Sequence, residues 1–222
     1  MRNFVVAIDG PSGTGKSTSA RILADKLKAL YIDSGAMYRA VTYLVVKNNF
    51  DPKNNIKEII NLSRGADIKL DPEEVLLNDQ NVTKEIRSLD VTNKVSAVSK
   101  IKEVREILVE KQRDYAKDNS VVMDGRDIGT VVFPNADIKF FLVCDLKTRA
   151  ARRQQDFRDM GMRIPLEKIV LELKKRDSID TNRKESPLKK AKDAIEIDTT
   201  NMIIEEQVDC MYKQIICKLD KY

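Results

Sequence analysis

Two hydrophobic rhythms alternate along this chain. Short runs rich in β-branched residues, at Phe4–Ile8, Leu30–Ile32, Ser120–Met123, Ile138–Val143 and Ala194–Ile197, read as buried strands. Between them apolar residues return every three or four positions, the period of a helix packed along one side. That rhythm predicts helices over Lys16 to about Ala29, Ala36 to about Lys47, Ile56 to about Gly65, Lys147 to Met160 and Pro165 to about Asn182. It predicts a terminal helix with Ile204, Val208, Met211, Ile215 and Leu219 inward, capped by Thr200 or Asn201. Glu85 to Lys117 is helical as well, through Val91, Val95, Val98, Ile101, Val104 and Leu108. The stretch between has a different texture. Ala66–Leu70, Val75–Leu77 and Gln80–Thr83 are short strands broken by Asp71-Pro72 and Asn78-Asp79, a small antiparallel hairpin insert. Strands alternating with helices predict an α/β fold, a parallel sheet with helices on both faces. Ligands then gather beyond the carboxyl ends of the strands, where Gly10, Asp33, Asp124 and the residues after Val143 fall round one rim.

The first strand runs straight into Gly10-Pro11-Ser12-Gly13-Thr14-Gly15-Lys16-Ser17-Thr18, which fills every fixed position of a phosphate-binding loop. Glycines let successive N–H groups curl in on a polyphosphate. Lys16 brings a point charge to the β- and γ-phosphates, and the Ser17 hydroxyl is placed to ligate Mg²⁺. The helix that starts at Lys16 turns its positive end toward the same anion. A chance glycine-rich turn of this pattern occurs in on the order of one chain in a hundred of this length, so a nucleoside triphosphate site is the better reading.

Composition narrows the chemistry. A length of 222 residues suits one domain with insertions, expected as a core over 1–33, 118–145 and 193–222, an acceptor-binding part with the hairpin over 34–117, and a lid over about 146–192. No run of 18 apolar residues occurs and the start lacks a signal-peptide pattern, which predicts a cytoplasmic protein without membrane attachment. Cys144, Cys210 and Cys217 have no metal spacing; Cys210 and Cys217 read as core residues of the last helix. The chain has no histidine, which excludes a histidine base or a Ser-His-Asp triad but leaves phosphoryl transfer open. The net charge of +5 is mild, but cations crowd the segment from Lys147 to Lys192. Such a region suits nucleic acid or two phosphorylated small molecules, and the phosphate loop favours the second.

Four stretches carry a resemblance that covers nearly the whole chain. They are Ile8-Asp9-Gly10-Pro11-Ser12-Gly13-x-Gly15-Lys16, Asp33-Ser34-Gly35-Ala36-Met37-Tyr38-Arg39, Asp124-Gly125-Arg126-Asp127-Ile128-Gly129-Thr130-Val131-Val132-Phe133-Pro134, and Arg176-Asp177-x-x-Asp180-x-x-Arg183. In order and spacing the chain resembles the bacterial cytidylate kinases, enzymes that move the γ-phosphate of ATP to CMP or dCMP. Ser17 stands where many relatives have glycine.

The resemblance implies an acceptor site. Ser34 and Arg39, with Tyr38 beside them, resemble the residues that hold the CMP phosphate; a surface salt bridge is the bland alternative for Arg39. Arg126 and Asp127 resemble the phosphate and base contacts. Asp127 would accept from the cytosine amine, with Ser96 and Arg105 at the remaining base edge, so UMP should be the poorer acceptor by about 1–3 kcal/mol. Asp180 would take the ribose hydroxyls, Arg176 brace the ribose end and Arg183 reach the phosphates. Surface ion pairing along one helix face is the alternative there. Arg149, Arg152 and Arg153 resemble lid arginines that close over ATP, and which of them meets the γ-phosphate stays open. Asp33 is a candidate to hold magnesium through water or to cap the next helix.

Ser96 and Arg105 lie nine residues apart, about 180° round a straight helix, so both reach one base only if the helix breaks. A break at Val98–Lys102 is therefore expected, with Ser99 a candidate cap. The acceptor is already anionic and needs no base: Lys16, Mg²⁺ and the arginines carry the work. The expected partners are CMP or dCMP and ATP with Mg²⁺, and neither nucleic acid nor a second subunit. The competing readings are an adenylate-, guanylate-, uridylate- or shikimate-type kinase, and a regulatory or nucleic-acid-dependent NTPase. Asn93-Lys94-Val95-Ser96 lacks the aspartate of a GTPase motif, and Met123-Asp124 is followed by Gly125 rather than a second acid.

Overall fold

The computed structural model describes residues 2–71, 74–159 and 161–219. Strands β1 (Val5–Asp9), β2 (Leu30–Asp33), β6 (Val121–Gly125), β7 (Ile138–Val143) and β8 (Ile195–Asp198) form one parallel sheet in the order β2-β6-β1-β7-β8. The phosphate-loop strand is thus central. Its residues alternate as a strand buried on both faces must. Val6 and Ile8 join Val122, Phe140 and Leu142 beneath helices α1 (Lys16–Leu27) and α8 (Ile204–Leu219). Ala7 joins Val121 and Met123 in a larger core under α2 (Ser34–Lys47), α3 (Ile56–Gly65) and α5 (Lys102–Asp114).

Strands β3 (Ile68–Leu70), β4 (Val75–Leu77) and β5 (Gln80–Asn81) form the small antiparallel sheet. Asn78 and Asp79 both take positive φ, 51° and 61°, the geometry of a two-residue hairpin turn that short polar side chains tolerate. Ile68, Leu70, Val75 and Leu77 tie the sheet to the larger core. Helices α6 (Leu146–Asp159) and α7 (Leu166–Asn182) pack on each other through Ala150, Phe157, Ile169 and Leu173, a separate small core. The expected turn at Asp71-Pro72 and the helix end at Met160 fall partly outside the described residues.

The expected break is present: α4 (Leu89–Val98) ends, and α5 begins at Lys102. Its cap differs. Ser99 keeps helical angles and donates back to Ser96 O at 3.3 Å, while extended Ile101 precedes α5, so Ser99 closes one helix rather than opening the next. At the last helix the expected caps are also displaced. Thr200 donates to Asp198, and the Ile203 N–H finds Glu206 Oε2 at 3.0 Å, which starts α8 at Ile204. Cys210 packs at the edge of a core but Cys217 is exposed. The buried face centres on Val208, Met211 and Ile215, and Cys217 lies about 200° round from Ile215. Ile128–Val132, too short for its apolar residues to mark an element, forms one wide π-turn. Among the described residues no helix is long and apolar enough to cross a membrane.

Candidate active site

The carboxyl ends of β1, β2 and β6 open onto one cavity of about 1040 Å³, roofed by α6 and α7. Gly10 takes φ +147° at the exit from β1, and a Cβ there would lie 2.3 Å from Leu142 O, so only glycine fits. The loop then braces itself. Lys16 Nζ folds back to Pro11 O at 2.6 Å and to Thr14 Oγ at 3.3 Å, and Thr199 Oγ donates to Thr14 O at 3.0 Å. Burial, followed by Arg126, lowers the Lys16 ammonium from its ordinary value. A polyphosphate arriving beside it would reverse that shift.

Beyond Lys16, Ser17 Oγ donates to Asp124 Oδ2 and Tyr31 Oη to Asp124 Oδ1, both at 2.9 Å. Burial and then neighbouring Asp33 raise the Asp124 carboxyl above the usual range. Among the described residues no group of three or more His, Cys, Asp or Glu side chains stands ready for a metal. A hydroxyl beside two carboxylates with surplus negative charge is nonetheless the partial oxygen set that magnesium takes, completed by phosphate and water. Asp33 also accepts the Ala36 N–H at 3.0 Å, so its capping role is real. Asp124 was expected on the ligand rim, but with no ligand assigned to it. Its signal was its place at the end of the strand beside β1, although no second acid follows it.

The opposite wall is built of side chains. Arg105 pairs with Asp127, both buried, and Arg183 lies 3.5 Å from the other Asp127 oxygen. Arg126 Nε pairs with Asp180 at 3.0 Å. Burial works to raise the Asp180 carboxyl, but Arg126 and Arg176 outweigh it and hold it below its ordinary value. Tyr38 lies under Arg105, 5.2 Å from guanidinium to ring, its buried hydroxyl without a partner. Arg39 reaches Thr92 Oγ at 3.0 Å, and Ser34 Oγ donates to Asp124 O at 2.7 Å. A Cβ on Gly125 would come within 2.5 Å of that Ser34 oxygen. Burial, then Arg126 and Arg39, depress the Arg176 guanidinium to about 9, and burial with Arg153, Arg87 and Arg126 depresses Arg39 to about 10. Arginines pressed together in this way mark a place prepared for anions.

The cavity gathers Ser12, Gly13, Gly15, Lys16, Ser17, Thr18, Asp33 and Ser34 at one side. At the other it gathers Tyr38, Arg39, Ser96, Arg105, Arg126, Asp127, Arg152, Arg153, Arg176, Asp180 and Arg183. Gly10, Pro11 and Thr14 lie behind it as the frame of the loop. Arg149 is also absent from the lining. Its guanidinium donates to Ser12 O and Cys144 O and pairs with Asp177 at 2.8 Å, so it struts the phosphate loop against α7. Arg152 lines the cavity while holding Thr199 O at 2.7 Å and Met202 O at 3.1 Å, and Arg153 stacks over Phe157.

The family model for cytidylate kinase matches residues 6–216. This chain belongs to the cytidylate kinase family. It is 48% identical to a cytidylate kinase of Clostridioides difficile strain 630, over 97% of this chain and 99% of that one. With a cytidylate kinase of Caldanaerobacter subterraneus subsp. tengcongensis it shares 50% identity over 95% and 93%. A crystal structure of an uncharacterised protein from Eubacterium ventriosum matches 97% of this chain and 99% of that one, with TM-score 0.53 and 15% identity, a likeness of fold alone.

Proposed function

We propose that this cytidylate kinase family member transfers the γ-phosphate of ATP to CMP or dCMP, giving ADP and CDP or dCDP. One observation carries the reading: a single cavity has a phosphate loop on one side and, on the other, a buried aspartate between two arginines. Asp127 accepts from the cytosine amine, and Arg105 and Ser96 donate toward N3 and O2. Uracil reverses the polarity at N3 and position 4, so it sets an oxygen against the carboxylate. Arg39, Arg126 and Ser34 hold the acceptor phosphate; Asp180 and Arg176 hold the ribose.

The acceptor oxygen is anionic at neutral pH and needs no base. The site's task is to bring two polyanions into line and to neutralise the charge on the transferring group. Lys16 and the arginines do this from fixed positions. Ser17, Asp124 and Asp33 would hold magnesium, which would supply charge neutralisation to the phosphates. Arg105 and Arg126 keep donors on Asp127 and Asp180 while turning others to the nucleotide, so the buried carboxylates keep their counterions. Segments 34–117 and 146–192 act as acceptor-binding part and lid on the core, and the lid closes only over both nucleotides, which keeps water from the γ-phosphate.

The test is a coupled assay of ADP release with CMP, dCMP, UMP, AMP and GMP. CMP and dCMP should far outpace the rest. ADP release without acceptor that equals the rate with CMP would refute the reading.

A further inference from the structure

One deeply buried carboxylate has no task in the reaction as described. Asp9 ends β1, immediately before the phosphate loop, and is 4% exposed. Its two oxygens accept the backbone N–H groups of Ile128 and Gly129, each at 2.8 Å. Those residues directly follow Arg126 and Asp127 and open the π-turn. The turn has little room to slip, since a Cβ on Gly129 would lie 3.1 Å from Lys139 Cδ and 3.4 Å from Asp9 Oδ2. Lys139 pins the far end by donating to Pro134 O at 2.6 Å. The loop that carries two acceptor contacts is therefore anchored on the adjacent strands β1 and β7, and its near anchor is the residue that launches the donor loop.

We propose that Asp9 is a positioning residue that holds Arg126 and Asp127 in register with the phosphate loop. The inference rests on the reading of those two residues as acceptor contacts. A carboxylate receiving two N–H groups is fixed in orientation. Asparagine, of the same shape, accepts one and turns an NH₂ donor against the other. The loop then shifts, and its side chains with it, by the fraction of an ångström to which phosphoryl transfer is sensitive. The phosphate loop itself is braced by Lys16, Thr199 and Arg149, none of which touches Asp9 by hydrogen bond. Losing the Asp9 anchor should therefore fall on CMP and spare ATP.

The experiment is steady-state kinetics of the full chain, wild type and Asp9→Asn, with ATP varied against CMP and UMP, and a thermal melt of each. The expected result for Asp9→Asn is a KM for CMP raised about tenfold and a reduced preference for CMP over UMP. Its KM for ATP should stay within about twofold and its melting temperature within a few degrees. A CMP KM equal to wild type overturns the inference. So does a rise in both KM values together with a large fall in melting temperature, the mark of a merely structural residue. If Asp9→Asn does not fold, Asp9→Glu, which keeps both acceptors but displaces them, must show the same split; if it shows none, or does not fold either, the inference fails. A wild type that leaves CMP untouched overturns the acceptor reading and this inference with it, whereas a wild type active on CMP with an indistinguishable Asp9→Asn overturns this inference alone.

Discussion

The two sides of the cavity face each other but are made of different material. The donor side is backbone: a contiguous loop whose shape is set by Gly10 against Leu142 and by Lys16 folded onto the Pro11 carbonyl and the Thr14 hydroxyl. The acceptor side is side chain: Arg105, Asp127 and Arg183, and Arg126 with Asp180, brought from α5, the turn after β6, and α7 and its C-terminal end. A loop of N–H groups is ready for an anion before one arrives. A wall of ion pairs still leaves Arg105 Nε, Arg176 Nε and the Tyr38 hydroxyl without hydrogen-bond partners, and its side chains must rearrange to bind. The donor side should therefore break all at once when its Lys16 charge is removed. The acceptor side should degrade in steps and lose selectivity before it loses activity.

The largest effect expected follows on the donor side. Lys16→Ala removes the charge aimed at the transferring phosphate, and kcat should fall about a thousandfold while calorimetric CMP binding persists. Loss of CMP binding in that variant would erase the distinction between the two walls. Asp127→Asn comes next. The CMP over UMP preference should shrink about 5- to 150-fold, matching about 1–3 kcal/mol of base discrimination, with CMP still turned over. The melting temperature should fall too, because Arg105 and Arg183 lose the carboxylate between them. Ser17→Ala is a smaller change on the donor side. The magnesium concentration for half-maximal rate should rise about tenfold with the CMP KM unmoved, which one lost oxygen ligand explains.

How much of this was legible in the sequence follows the same division. A backbone site needs its residues consecutive, so Gly10–Thr18 announces itself. The α4–α5 break was legible as well, because two residues nine apart, expected at one base, cannot share a face of a straight helix. Side-chain placement was harder to read. Arg149, Arg152 and Arg153 share a helix face, but spacing alone does not say which carbonyl each will find, and Arg149 turned to Ser12 O and Asp177. Tyr31 and Asp9 were invisible because their partners lie at Asp124 and at Ile128–Gly129, far along the chain. The π-turn was hidden because one turn, with Ile128, Val131 and Val132 apolar, is too short for a rhythm to declare itself, and a buried carboxylate at the end of another strand fixes it.

The smallest effect expected tests the seam between the two walls through stability rather than activity. Burial pushes the Asp9 carboxyl up to about 6, against the Gly129 and Ile128 N–H groups and Lys16, with Asp127 adding to the rise. The ordinary value, 3.8, applies in the unfolded chain. A raised value means that the folded state holds this proton more tightly. The stabilising contribution is therefore complete below about 3.8 and lost as pH rises through about 6. Between pH 7 and pH 5 the wild type should gain stability relative to Asp9→Asn by about 1 kcal/mol, a few degrees of melting temperature. Taking the difference between the two proteins cancels the surface carboxylates, while Lys16, lowered to about 7 and facing the Asp9 charge, adds a change of the same sign. Paired thermal melts across that range read it directly. A difference that stays flat, or that favours the variant toward acid, would mean that Asp9 is not held ionised against its burial. The two N–H groups of the acceptor loop would then not be gripped by a charge that the donor strand supplies.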